Sequence, residues 1–274
     1  MHALPLVVAM LAAVIMAPAV LRGLVAGRHL RMNYRQRELP FPFGVLSVAA
    51  ALVALIPLAL LQELAQADVL HPEVPRIALY VLGAAALGLI DDALGAAPRG
   101  WRGHGRAMLR GELSTGVLKA AGSLGLALLV LSGLGLSHGH YLLAVAVLVL
   151  STNLFNLLDL RPGRASKAFV LLGAGLTLGA ADVRPLWSLG LFAGPALVAG
   201  VYDLRERAML GDTGANLLGA LAGWWLVLVL SATGQAIALG LLIAITIFGE
   251  FRSISALVEK TPGLRALDSW GRPS

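Results

Sequence analysis

The most regular feature of the chain is a succession of long apolar runs broken by short polar stretches. Crossing about 30 Å of hydrocarbon as a helix takes roughly 17 to 25 predominantly apolar residues. Nine runs approach that length, at residues 4–21, 43–62, 76–92, 113–136, 141–158, 168–183, 186–202, 213–232 and 235–251. The pattern predicts an all-α, polytopic integral membrane bundle of about nine transmembrane helices. Several runs are short and rich in glycine, and Gly194-Pro195 in the seventh suggests a kink or a break there and in the ninth. The chain reads as a single domain over residues 1–274, with a short tail over residues 252–274 outside the membrane.

Composition agrees with this class. Hydrophobic residues make up 58% of the chain, mean hydropathy is +0.83, and charged residues are 13%, about half the roughly 25% of soluble domains. The chain has no cysteine, which excludes disulfides, thiolate nucleophiles and Cys-ligated metals. Basic residues follow the first, third, fifth, seventh and ninth runs, as in Arg22–Arg37, Arg99–Lys119 and Arg161–Lys167. Nineteen of the 21 lie on that side, leaving only Arg76 and Arg184 opposite. The positive-inside rule then predicts an outside N-terminus, a cytoplasmic C-terminus and an uncleaved first helix. The net charge of +6 is read as a topology signal, not a nucleic-acid signal, and the arginines at 99–110 as contacts for anionic lipid headgroups.

Acidic residues sort by side as well. Asp91, Asp92, Asp159, Asp203, Glu206 and Asp212 all fall at the cytoplasmic ends of runs or in the loops beside them. A carboxylate within a membrane helix costs about 2.5 to 3.5 kcal/mol on insertion scales, so such groups need an edge and a cation. Carboxylates gathered on one face can hold a divalent cation and, through it, phosphates. In STNLFNLLDLRPGR, residues 151–164, Asn153, Asn156 and Asp159 recur every three residues, near one helix face, where they could read a sugar or a base. In MLGDTGANLLGALAG, residues 209–223, Asp212 opens the eighth run, whose helix N-terminus would offer free N–H groups to phosphate oxygens. Plainer readings compete. The Asp91–Asp92 pair can end a helix beside water, and the asparagines can be interhelical glue. Asp159 can pair with Arg161 or Arg164, Asp212 can cap its own helix, and Lys119 can extend to the interface.

The segments GLIDDALG, NLFNLLDLRPGR and GDTGANLLG, in this order and on one predicted face, resemble the signature segments of the polyprenyl-phosphate N-acetylhexosamine-1-phosphate transferases. NYRQRELPFPFG, residues 33–44, and Lys119 are similar to family segments too, so the likeness spans roughly residues 30–220. It implies a Mg²⁺-dependent transfer of sugar-1-phosphate from a nucleotide-diphosphate sugar to polyprenyl phosphate at the inner face of the plasma membrane, in cell wall biogenesis. By similarity, Asp212 binds magnesium, Asp91 deprotonates or orients the lipid phosphate and Asp92 supports that site. Lys119 binds phosphate, and Asn153, Asn156 and Asp159 bind the nucleotide-sugar. Expected partners are the membrane, the polyprenyl phosphate lipid and the nucleotide-sugar, without nucleic acid; a homodimer is left open.

The chain also departs from the family. Pro162 stands where a second aspartate usually follows, and the final stretch, FGEFRSISALVEKTPGLRALDSWGRPS, lacks the usual histidine-rich loop. Arg161 and Arg164 are candidates to replace the lost phosphate contacts. These departures favour, as alternatives, a non-catalytic relative that binds polyprenyl phosphate or partner proteins. A transporter fits less well, because the acids cluster on one side and not across the spans. The charge bias makes a direct topological expectation: a reporter fused after Ser274 reads inside and one at His138 reads outside. A C-terminal reporter found outside would overturn it.

Overall fold

The computed structural model describes residues 1–94 and 115–273; Arg99, Arg102, Arg106 and Arg110 lie outside the described residues. Eleven helices occur among the described residues. They are α1 (Leu4–Ala26), α2 (Val45–Leu64), α3 (Val74–Leu94), α4 (Thr115–Leu131), α5 (His138–Leu158), α6 (Arg164–Ala180), α7 (Arg184–Leu204), α8 (Gly211–Val229), α9 (Ala232–Phe251), α10 (Ile254–Lys260) and α11 (Pro262–Ser269). Seven of these, α1, α2, α3, α5, α7, α8 and α9, are long and apolar enough to cross a membrane. The protein is therefore an all-helical bundle built for a membrane. The other two predicted runs also form helices, α4 and α6, but each has 17 residues. Gly194-Pro195 does not break α7, which stays helical through both residues, as does α9 throughout its length. The tail forms the two short helices α10 and α11.

Helix α8 is the axis of the bundle. Every residue from Thr213 to Leu226 is buried, and the helix packs chiefly on α5 and α3, with α6 and α7 also against it. A helix apolar all round belongs in an interior. Around it, α1 lies along α7 and α2, α4 lies along α3, and α9 lies along α5. Small residues set these separations, as expected where apolar burial gives no drive between helices in lipid. On α1 the buried face is Ala9, Ala13 and Ala17, one turn apart, and it meets Gly190 and Gly194 of α7, where an added Cβ would run into Leu6 and Met10. Between α8 and α5, a Cβ at Gly219 would strike the backbone of Ser151 and Thr152.

A small antiparallel hairpin, β1 (Leu30–Met32) and β2 (Glu38–Pro40), follows α1. Asn33 closes it: its Oδ1 accepts the backbone N–H groups of Arg35 and Arg37 at 2.8 and 2.9 Å, a side-chain turn that asparagine makes readily. The chain then docks on the loop before α8. Met209 N donates to Pro40 O, Phe43 N to Met209 O and Gly44 N to Leu210 O, at 2.7 to 2.9 Å. The stretch that resembles a family segment, residues 33–44, thus fixes where α8 begins.

Gly88 is the tightest point between α3 and α8, since a Cβ there would overlap the backbone of Asp212 and Thr213. Overpacking of this kind costs about 1 to 3 kcal/mol. Gly88→Ala is therefore expected to lower the thermal midpoint of the detergent-solubilised protein. Gly125→Ala and Gly175→Ala, where a Cβ meets nothing within 4 Å, do not lower it, since alanine favours a helix interior over glycine.

Candidate active site

Adjacent residues on a helix point about 100° apart, and Asp91 and Asp92 use that divergence to do two different things. Asp92 turns toward α8. Its Oδ1 accepts Asp212 N at 2.9 Å, and its Oδ2 accepts Thr213 N at 2.9 Å and Thr213 Oγ1 at 2.7 Å. A helix begins with N–H groups that have no partner within the helix, and a carboxylate there is favourable both as acceptor and as a charge against the macrodipole. Two of the N–H groups expected to be open to phosphate are therefore already taken, and the residue that takes them comes from α3, not from α8 itself. Gly211 makes room for this carboxylate: it has φ +72°, a conformation glycine adopts freely, and a Cβ there would press on Asp92 Oδ2, Pro42 and Phe41.

Asp91 turns the other way, to Lys119. The Lys119 ammonium lies between Asp91 Oδ2, at 3.1 Å, and Asp212 Oδ2, at 2.5 Å. With its amide turned so that both ends are satisfied, Asn156 donates to Asp212 Oδ1 and accepts from Lys119 Nζ, each at 2.9 Å. Four helices, α3, α4, α5 and α8, thus each contribute a polar side chain to one cluster. The lysine side chain is only 14% exposed, so it is part of an ion cluster and does not extend to the interface. Two carboxylates thus share one ammonium, with the carboxyl groups of Asp92 and Asp159 close by.

The cluster forms the base of a cavity of about 1450 Å³. Asn153, Asn156 and Asp159 all line it, as their spacing on α5 suggests. Asp159 closes α5 as its C-cap residue. Burial, together with the neighbouring carboxylates of Asp203, Asp212 and Asp92, pushes its carboxyl well above the usual carboxylate range. Apolar side chains line the same cavity beside these polar residues: Val149, Leu150 and Leu157 of α5 and Ile247 and Phe251 of α9. The hairpin supplies a rim of Arg31, Asn33, Tyr34 and Gln36.

Two acids that the sequence placed on this side without a role hold the rim. Asp203 is buried and accepts Gly163 N at 2.6 Å and Leu210 N at 3.3 Å, tying the turn after α5 to the loop before α8. Glu206 is buried beneath the hairpin and accepts from Asn33 Nδ2 and Tyr34 Oη, with Arg35 Nε 3.4 Å away. The only sequence signal for either was an acid at a run's end beside glycine and arginine.

The basic residues after Asp159 divide. Arg161 lines the cavity, lies 4.5 Å from the Tyr34 ring centre and donates to Glu259 at 3.0 Å. Arg164 does not reach the cavity. It is buried in a two-pronged pair with Asp268 at 2.8 and 3.0 Å and donates to Ser255 at 3.0 Å. Lys167 donates to the carbonyls of Leu267 and Asp268, and Arg272 reaches Pro162 O at 2.8 Å and Asp268. The tail therefore consumes the arginine expected to meet phosphate and clamps the turn beside Asp159.

The donor set suits Mg²⁺, which takes hard oxygen ligands, usually one or two carboxylates, and keeps several waters or substrate oxygens. Asp91 and Asp212 bring carboxylate oxygens to either side of one cation already, the Lys119 ammonium. Among the described residues no group of three or more His, Asp or Glu side chains is placed to hold a metal ion. No protein-family model matches the chain, and no curated protein is significantly similar to it.

The Asp268 pair gives an expectation at low pH. Burial opposes ionisation of Asp268, but the hydrogen bonds from Arg164 and Arg272 outweigh it and hold the carboxyl below the usual range. A depressed folded value means that the stabilisation is complete above the unfolded value of about 4 and is lost as pH falls through the folded value. Limited proteolysis should therefore find the tail protected at pH 6 and released below the folded value, whereas Asp268→Ala should release it at pH 6. Arg164 is buried while Asp268 is only half-buried, so losing the carboxylate costs less than breaking a fully buried pair. A tail equally protected in wild type and Asp268→Ala would contradict the clamp.

Proposed function

We propose that the protein transfers a sugar-1-phosphate, of N-acetylhexosamine type, from a nucleotide-diphosphate sugar to polyprenyl phosphate, as the resemblance of its GLIDDALG, NLFNLLDLRPGR and GDTGANLLG segments implies. The observation that carries this reading is the Lys119 cluster in the lining of a large cavity that presents both polar and apolar side chains. An acceptor with a phosphate head and a hydrocarbon chain needs both kinds of side chain. A donor with a sugar, a diphosphate and a nucleoside needs the volume and the amides of Asn153 and Asn156. In this reading the bundle has nine spans, including α4 and α6, in the plasma membrane, with an outside N-terminus and the cavity and tail at the cytoplasmic face.

The reaction joins an oxygen of the lipid phosphate to the sugar-proximal phosphorus and breaks the bond from that phosphorus to the bridging oxygen, releasing a nucleoside monophosphate. Two anions have to meet, so charge must be neutralised and the attack aligned. Asp91 orients the lipid phosphate or takes its proton. Lys119, held between two carboxylates, offers its ammonium to the incoming phosphates. Asp92 keeps Asp212 in place through the first turn of α8, and Asn156 holds the Asp212 carboxylate. Asn153, Asp159 and Arg161 border the donor's place. Asp212 would hold Mg²⁺, which when bound supplies Lewis-acid neutralisation of the diphosphate.

The test is to incubate purified protein with undecaprenyl phosphate, Mg²⁺ and a panel of nucleotide-sugars and to follow release of the monophosphate. Turnover is expected with a donor other than UDP-N-acetylmuramoyl-pentapeptide, since Pro162 and the absence of the histidine-rich loop alter the donor side. Asp91→Asn and Asp212→Asn should each lower turnover by about 100-fold or more with folding retained. The double variant should be little worse than either, because the two groups act in one step. Asp92→Asn should be milder. Near-normal turnover in either single variant would falsify the assignment.

A further inference from the structure

A second, smaller space lies away from the cluster. A groove of about 210 Å³ runs between α6, α7 and the tail, walled by Val170, Leu171, Leu197, Val201, Leu267 and Trp270. It extends from Gly163 and Leu204 to Leu171 and Leu197, about seven residues along each helix or roughly 10 Å at 1.5 Å per residue. It is larger than the roughly 150 Å³ apolar cavities that hold a benzene molecule. Water entering it would find almost no polar partner, so water does not fill it stably. The outer edges are continuous with the outward surface of the bundle, where Val170, Leu171 and Val201 are each about half exposed. Because α7 is one of the helices built to cross a membrane, that surface meets hydrocarbon.

The mouth of the groove has the chemistry of a membrane interface. Trp270 is 72% exposed there, and indole rings concentrate at headgroup level. Lys167 lines the same rim, half-exposed. Two of its three donors go to the carbonyls of Leu267 and Asp268, and an ammonium can make three such bonds. Its charge faces the level at which phospholipid phosphates lie.

We propose that this groove binds one acyl chain of a membrane phospholipid, with the lipid phosphate held at the rim by Lys167. The lipid chain fills the space between the tail and the bundle and so secures the clamp on the Pro162–Lys167 turn. The site is separate from the main cavity and does not depend on the reaction proposed above.

Native mass spectrometry of the full chain, stripped in detergent and titrated with dioleoyl phosphatidylglycerol, tests this. Wild type should retain one phospholipid that Val201→Trp and Val170→Trp, which fill the groove, do not. Leu178→Trp, at an exposed position of α6 outside the groove, should retain it. Lys167→Met should weaken retention about tenfold or more, the scale of a charge-assisted hydrogen bond, and Lys167→Arg should restore it. Equal retention in wild type and both groove-filling variants, each monodisperse with an unchanged thermal midpoint, would overturn the proposal. So would loss in Leu178→Trp to the same degree, and unchanged retention in Lys167→Met would remove Lys167 from the site.

Discussion

An ammonium shared by two carboxylates ties together the ends of three helices. Lys119 of α4 reaches Asp91 of α3 and Asp212 of α8, and each charge would be costly alone at that depth. Their mutual satisfaction lets a chain of +0.83 mean hydropathy carry three ionisable groups in one place. Buried ion clusters contribute less net stability than their Coulomb energy suggests, because desolvation offsets it. What they give is specificity: α3, α4 and α8 fit together in one register, the one that brings these groups into reach. Asp92 adds a set of hydrogen bonds next to it, holding the first turn of α8, so the backbone that carries Asp212 is positioned from α3.

The rest of the site follows from that register. The hairpin docks on residues 209–210 and is held from below by Glu206, so it closes over the cavity that α3, α5 and α8 define. Asp203 ties the turn after Asp159 to the same loop. On the far side of that turn, the tail engages Arg161, Arg164 and Lys167 together. Part of the cavity wall is thus supported by residues about a hundred positions away in sequence, and the apolar groove lies in the same junction.

Much of this was legible in the chain because hydrophobic length and charge sidedness are local signals. All nine apolar runs are helices, and the i, i+3, i+6 spacing of Asn153, Asn156 and Asp159 does direct them to one cavity. What was not legible depends on contacts between distant segments. The α8 N-terminus looks open to phosphate in sequence, but the acceptor that occupies it, Asp92, lies 120 residues earlier. Arg164 looks available, but Asp268 lies 104 residues later. The proline in α7 suggested a break because the local rule is a lost hydrogen bond and a clash, yet tight packing on α1 carries the helix through. The tail's two helices dock through Arg164, Lys167 and Arg272, so their place shows only once those distant partners are seen.

The central claim is that Lys119 and the two carboxylates act as one unit, and a double-mutant cycle of thermal stability tests it most directly. Lys119→Met leaves Asp91 and Asp212 facing each other without a cation, and Asp212→Asn leaves one carboxylate with the lysine. The account predicts that Asp212→Asn, destabilising or neutral in the wild-type background, becomes stabilising in the Lys119→Met background, with a coupling of about 1 kcal/mol or more. Additive effects of the two substitutions, within a few tenths of a kcal/mol, would contradict it.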